Sequence, residues 1–254
     1  MGSSQVAALM GGMGRTIDGG YAEYVLVPAS VVVPFGSDLD WSVLGAVPEM
    51  LQTAHGSLTI GVNAHEGDTL LIRGGTSSVG LALAVVAKQR GITVFSTTRS
   101  PAKQDALRKL GVDHVIIDDG EVARAVREIL PSGVTGAVEL VGAPTLPDTL
   151  RATAVHGTVC FTGMLSDQWA IPDFYPMAYL PNGVRLTAYS GEASDLPPQV
   201  LQDFLDAVAV GRTTVPIGRV YDFDDIVQAH ADMESSTNTG KLVVTTPSYD
   251  QGSR

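Results

Sequence analysis

The sequence predicts an α/β protein: a doubly wound, six-stranded parallel sheet, with a second, β-rich domain drawn from the two ends of the chain. Three observations lead there. Strand-like and helix-like segments alternate from about residue 68 to residue 189. The strand segments are continuous apolar runs, as expected of strands buried on both faces. A glycine-rich turn joins the first of these strands to the first helix.

Residues 68–73 form a short apolar run that ends at Gly74 and Gly75. From Val79 to about Gln89 the apolar spacing is helical, and Gly91 follows as a terminator. Residues 92–95 are the next strand, rich in β-branched and aromatic side chains. Ser100 at the cap and Pro101 at the first helical position open a second helix, which Gly111 closes. The cycle continues with strands at 115–117, 137–140 and 158–161, and helices at 121–130 and 147–154. An irregular, proline-rich stretch over 167–183 leads to the sixth strand, 184–189. At the front, residues 19–27 alternate like an antiparallel strand, preceded by a strand at 6–9 and punctuated by Pro28, Pro34 and Gly36. At the back, 201–210 and 225–233 read as helices and 241–244 as a final strand. This places a central domain over 41–190 and a flanking domain over 5–40 and 191–254.

The 254 residues carry a formal net charge of -11 with no basic stripe, which argues against nucleic acid or an anionic membrane as partner. No apolar run approaches the roughly 18 residues of a membrane helix, and the opening residues lack a secretory signal. The single cysteine, Cys160, allows no internal disulfide and fits a reducing, cytoplasmic setting. Residues 1–4 read as an engineered start outside the fold.

The informative segment is Gly74-Gly75-Thr76-Ser77-Ser78-Val79-Gly80. A dinucleotide turn needs a glycine at the sharp bend, close backbone approach to the pyrophosphate, and a glycine where helix meets strand. Gly75 and Gly80 take the first and last of these positions. Ser77 stands where the middle glycine usually lies; its hydroxyl is expected to join the phosphate shell, beside the amides of Thr76, Ser78 and Val79 at a helix N-terminus. A strand before, a helix after and a second strand at the right distance supply the context that a glycine run alone lacks. The bland alternative is an ordinary strand-to-helix turn.

The end of the second strand selects the cofactor. An NAD site places an acid there for the ribose hydroxyls, whereas an NADP site offers cations and hydroxyls to the 2′-phosphate. This chain reads Thr97-Thr98-Arg99-Ser100-Pro101-Ala102-Lys103, without an acid. Arg99 can fork onto the phosphate, Lys103 adds a point charge, and Thr98 and Ser100 offer hydroxyls, so NADPH is the expected cofactor. Two unremarkable basic residues on a solvated loop are the alternative.

These motifs, with Gly19-Gly20-Tyr21-Ala22-Glu23-Tyr24, Pro48 to Ala54 and Gly240 to Val244, run in order along essentially the whole chain. Together they resemble the medium-chain dehydrogenase/reductase superfamily, in its zinc-free quinone-oxidoreductase-like branch. The resemblance implies a Rossmann domain plus a GroES-like β-rich domain, the latter incomplete here because the first part of that domain has no counterpart. Trimming and a natural variant both account for this.

By the same resemblance, the chain would be an oxidoreductase moving hydride from NADPH to a quinone, enone or related carbonyl compound. Thr53, the turn Thr162-Gly163-Met164 and the loop Val141-Gly142-Ala143 would lie beside the nicotinamide. Glu49 is the best ionisable candidate, either a proton relay or a carboxylate paired with a base. Lys241 is expected near the cofactor or at a solvated strand start, and Tyr21 and Tyr24 are alternative proton donors that more often pack. No metal is expected, because the five histidines do not cluster and Glu49 alone cannot hold zinc. Cys160 reads as core. A short-chain dehydrogenase is excluded, since no tyrosine has a lysine four residues later. A non-catalytic NADPH sensor remains the rival reading. A homodimer is expected through the sixth strand, near Tyr189, because an unpaired apolar edge invites association.

Overall fold

The computed structural model describes residues 4–168, 170–235 and 239–246. The reading of residues 1–4 as an added start therefore lies outside the described residues except for Ser4, as does the end of the flanking domain beyond 246. In chain order the elements are β1 (Val6–Ala8), β2 (Val32–Pro34), α1 (Trp41–Gly56), β3 (Thr69–Arg73), α2 (Ser78–Gln89), β4 (Thr93–Thr98) and α3 (Gln104–Lys109). They continue with β5 (His114–Ile117), α4 (Val122–Ile129), β6 (Val134–Glu139), α5 (Leu146–Ala152), β7 (Thr153–Phe161), α6 (Pro176–Tyr179) and β8 (Arg185–Ala188). Last come α7 (Pro198–Ala209), β9 (Ile217–Asp222), α8 (Ile226–Glu234) and β10 (Lys241–Thr245).

Chain contacts divide the molecule into two compact units, one over 53–191 and the other from the flanks, 1–52 and 192–254. The first break falls within α1 rather than ahead of it, so most of this helix goes with the flanking unit.

The unit over 53–191 is a six-stranded parallel sheet in the order β5-β4-β3-β6-β7-β8. That is the doubly wound topology, with the strand order reversing between β3 and β6. Register sets Leu71 beside Phe95 and Ala137, and Ala137 beside Val159. These residues share one face of the sheet with Ile116 and bury it against Val122, Val126, Leu146 and Leu150 of α4 and α5. On the helix α2, Leu81, Leu83 and Val86 are likewise buried, which is why its apolar residues leave no polar stripe in the middle turns. Gly91 and Gly111 end α2 and α3 at positive φ (70° and 82°), where a β-carbon would be strained. The helix opened by Ser100 begins as a 3-10 turn over Pro101–Lys103 before α3. Ser100 holds the cap position, yet its side chain makes no capping bond.

In the flanking unit β1 pairs antiparallel with β2, and β9 pairs parallel with β10. Residues 19–27 are not the strand that their alternation predicts. Among the described residues no strand lies alongside to take up their backbone groups, and Tyr21, Tyr24 and Leu26 are exposed, so the alternation buries little. The strand β9 has no counterpart in the sequence reading.

Candidate functional site: a glycine turn and two zipped loops

At the C-terminal end of β3 the chain turns through Gly74 at φ 87°. The turn is hung from the neighbouring strand: the Gly74 amide donates to the Thr97 hydroxyl and the Gly75 amide to the Thr97 carbonyl, both at 3.0 Å. A β-carbon on Gly75 would run into the Ser96 hydroxyl, and one on Gly80 would sit 2.6 Å from the Gly74 carbonyl oxygen. Both glycines are therefore required by the close crossing of β3, β4 and α2.

Ser77 is the N-cap of α2. Its hydroxyl accepts from the Gly80 amide at 3.1 Å and donates to the Gly74 carbonyl at 2.8 Å. The Ser77 hydroxyl thus serves as the cap of α2. The amides of Ser78 and Val79 in the first helical turn have no carbonyl one turn back to bond, so they and the helix dipole make the anion-attracting end. Thr76, Ser77, Ser78 and Val79 are partly exposed there.

At the end of β4, Thr98 is buried and Arg99 is exposed. The Thr98 hydroxyl accepts from the Ser100 amide at 3.2 Å, folding the start of this loop back on the strand. Lys103 is partly exposed at the end of the 3-10 turn. This brings Thr98, Arg99, Ser100 and Lys103 to one loop next to the glycine turn, through the Gly75–Thr97 bond.

Beyond β6 and β7 the backbone pairing carries on past the strands. The amides of Thr162 and Gly163 both donate to the Glu139 carbonyl at 3.0 Å; Leu165 donates to Leu140 and Ser166 to Val141. A β-carbon on Gly163 would lie 2.8 Å from the Leu140 oxygen, and Gly142 stands at φ 121°. Loops 140–142 and 162–166 are thus zipped together, with Val141, Ala143, Thr162, Gly163 and Met164 partly exposed on them. Thr162 also bonds Ser57 at 3.0 Å and Cys160 at 3.3 Å. Ser57 opens a π-helical segment, Ser57–Val62, that continues α1, and Thr53 is partly exposed one turn before it. Cys160 is buried, as its strand position predicts, and burial pushes its thiol pKa up.

Two buried ionic features escaped the sequence reading. Glu139 ends β6 wholly buried, its carboxylate accepting from the Val141 and Gly142 amides (2.7 and 3.0 Å) and from the hydroxyls of Thr145 and Thr149. Desolvation holds its pKa above the usual carboxylate value, against the pull of those four donors. Arg73 ends β3, also wholly buried, bidentate to Asp118 beyond β5 and bonded to Asp148 of α5 at 2.7 Å. A charged residue closing a buried apolar strand was the signal in both cases.

In the flanking unit Glu49 is about half exposed and forms a salt bridge with Lys241. The pairing alternative for Glu49 is thus the one the structure shows, and Lys241 is its base. Tyr21 is exposed, its hydroxyl 2.8 Å from Nε2 of His230. Tyr24 is exposed as well. Tyr189 is buried against Gly56, where a β-carbon would meet its ring, so it packs the interior instead of offering an edge contact.

The strand order, the capped glycine turn and the zipped loops define a dinucleotide-binding α/β protein of the medium-chain dehydrogenase/reductase class. A family model described as zinc-binding dehydrogenase matches residues 110–244, more than half of the chain, and the chain belongs to that family, in its quinone-oxidoreductase-like branch. Among similar proteins, the phthioceranic/hydroxyphthioceranic acid synthase of Mycobacterium tuberculosis is 28% identical over 218 residues, covering 77% of this chain but 10% of the synthase. The quinone oxidoreductase of Lama guanicoe is 25% identical and covers 90% of this chain and 70% of its own length. A solved structure of mycobacterial Rv1454c complexed with NADPH superposes with a TM-score of 0.77 at 28% identity, over 89% of this chain and 71% of that one. The chain thus spans only about a tenth of the first of these relatives.

Proposed function

We propose that this chain is an NADPH-dependent reductase acting on a quinone, an enone or a related carbonyl compound. The observation that carries the proposal is the glycine turn, cleared of β-carbons at Gly75 and Gly80 and joined to a loop that presents Arg99 without an acid. Those residues fit the cofactor. The amides of Ser78 and Val79 would hold the diphosphate, with Thr76 and Ser77 beside them, and Thr98, Arg99, Ser100 and Lys103 the 2′-phosphate. Val141, Gly142, Thr162, Gly163 and Met164 would face the nicotinamide half. The bound cofactor supplies a hydride; the chain's own work is to orient it and to exclude water. The NADPH bound by the similar mycobacterial protein, and the likeness to a quinone oxidoreductase, support the reading.

A catalytic zinc does not fit. Among the described residues no three His, Cys, Asp or Glu side chains gather, and Glu49 is engaged with Lys241. Unit 53–191 would be the nucleotide domain and the flanking unit the substrate domain, and two copies would associate along the outer edge of β8, which among the described residues pairs with β7 alone.

Calorimetric titration tests the cofactor assignment: NADPH binds more tightly than NADH, and Arg99→Ala weakens NADPH by about tenfold or more while NADH changes little. Equal losses for both cofactors would remove the 2′-phosphate assignment. NADPH oxidation across quinones and α,β-enones tests the activity; tight binding with no turnover of any of them would favour a sensor.

A further inference from the structure

We propose that Glu139 is a positioning residue that holds loops 140–142 and 162–166 as one plate for the nicotinamide half of the cofactor. The inference rests on the dinucleotide reading above. One residue, wholly buried at the end of β6, bonds both loops at once. Its carboxylate Oε1 accepts the Val141 amide at 2.7 Å, the Gly142 amide at 3.0 Å and the Thr145 hydroxyl at 2.9 Å. Its Oε2 accepts the Thr149 hydroxyl of α5. Its main-chain carbonyl accepts the amides of Thr162 and Gly163.

Three donors converging on one oxygen call for an acceptor-rich group, and a carboxylate supplies it at the cost of losing its water. A tie that served packing alone would be met by an apolar side chain in this interior. Gly142 marks how close the two loops come: at φ 121° a β-carbon on it would lie 3.0 Å from the Ser166 hydroxyl and 3.4 Å from Met164 Cα of the other loop, so glycine is required there. The glycine turn and the Arg99 loop lie on β3 and β4 and make none of these bonds. Glu139 therefore bonds one half of the site directly and reaches the glycine turn only through the packing of Leu140, Val141 and Leu165 against Gly74.

The test separates the two halves by titrating Glu139→Ala and Glu139→Gln with NADPH and with adenosine 2′,5′-bisphosphate, which carries only the adenosine end. Glu139→Ala should weaken NADPH about tenfold, the loss of two seated amides, and leave the bisphosphate within about twofold of wild type. Glu139→Gln keeps an acceptor for the three donors and should restore NADPH to within about threefold. Unchanged NADPH affinity in Glu139→Ala, or equal losses of both ligands, would overturn the proposal. If Glu139→Ala does not fold, Thr145→Val removes one donor alone and should show the same one-sided loss at about threefold. An equal or absent loss there overturns the proposal as well. Wild-type protein that binds neither ligand would instead overturn the dinucleotide reading, and this proposal with it.

Discussion

Gly80 and Ser96 face the same crowded crossing from opposite sides, and they lead to opposite expectations. At Gly80 a β-carbon has backbone 2.6 Å away and nothing flexible to push aside. Gly80→Ala should cost about 1–3 kcal/mol in chemical denaturation and weaken any ligand seated on the turn. The Ser96 hydroxyl is buried and, among the described residues, has no hydrogen-bond partner. Ser96→Ala removes that orphaned polar atom and should leave stability unchanged or raise it by about 1 kcal/mol. A loss of more than that would show that the hydroxyl has a partner. The need for glycine at 75 and 80 was legible from spacing alone. The capping bond of Ser77 was not, because a serine at a helix start shows its cap only once the position of its oxygen is known.

At the scale of elements, the strand ends carry the electrostatics. Arg73 joins the tips of β3 and β5 to α5 through two carboxylates that are themselves nearly buried. Arg73→Met would leave the nearly buried Asp118 without its cation and Asp148 with Arg151 alone, at 3.3 Å, and should cost about 3–5 kcal/mol in equilibrium unfolding. A loss below 1 kcal/mol would mean that water reaches the pair. Glu139 gives a pH signature. Its folded pKa lies above its ordinary 4.5, so the folded state keeps a proton that the unfolded state has released. That contribution to stability is complete below the ordinary value and disappears as pH rises through the folded one. Glu139→Gln does not titrate, so its stability relative to wild type should climb as pH increases from about 4.5, in denaturation curves taken at a series of pH values. A flat difference would place Glu139 in a wetter setting.

The six central strands and their helices were legible because continuous apolar runs, broken by glycine at positive φ, have few other readings. Residues 19–27 misled for the converse reason. Period-two alternation marks a strand only where a partner and a core stand ready, and neither is visible in one segment. Arg73 went unnoticed because its partners lie 45 and 75 residues away in sequence, and Glu139 because its side-chain donors, 2 to 10 residues on, meet it only once the chain beyond β6 has folded back.

For the molecule as a whole, β8 is where the sheet stops. It pairs on one side with β7, and Arg185 and Ala188 are exposed along it. The Tyr189 amide bonds Phe161 of β7, so the Ala188 amide faces the open side; analytical ultracentrifugation should find two copies per particle, and Ala188→Pro should shift the particle toward one copy. A wild-type protein that sediments as a single copy would leave β8 as a plain sheet edge.

The burial of Cys160 has a practical outcome. This chain owns one sulfhydryl, sealed in β7 with Gly61 too close to admit a β-carbon beside it. A colorimetric disulfide reagent can reach that sulfur only when the strand parts from the π-helical segment. The colour would therefore develop at the pace of local opening. The protein carries its own reporter for whatever tightens the middle of its sheet, and no label has to be engineered to read it.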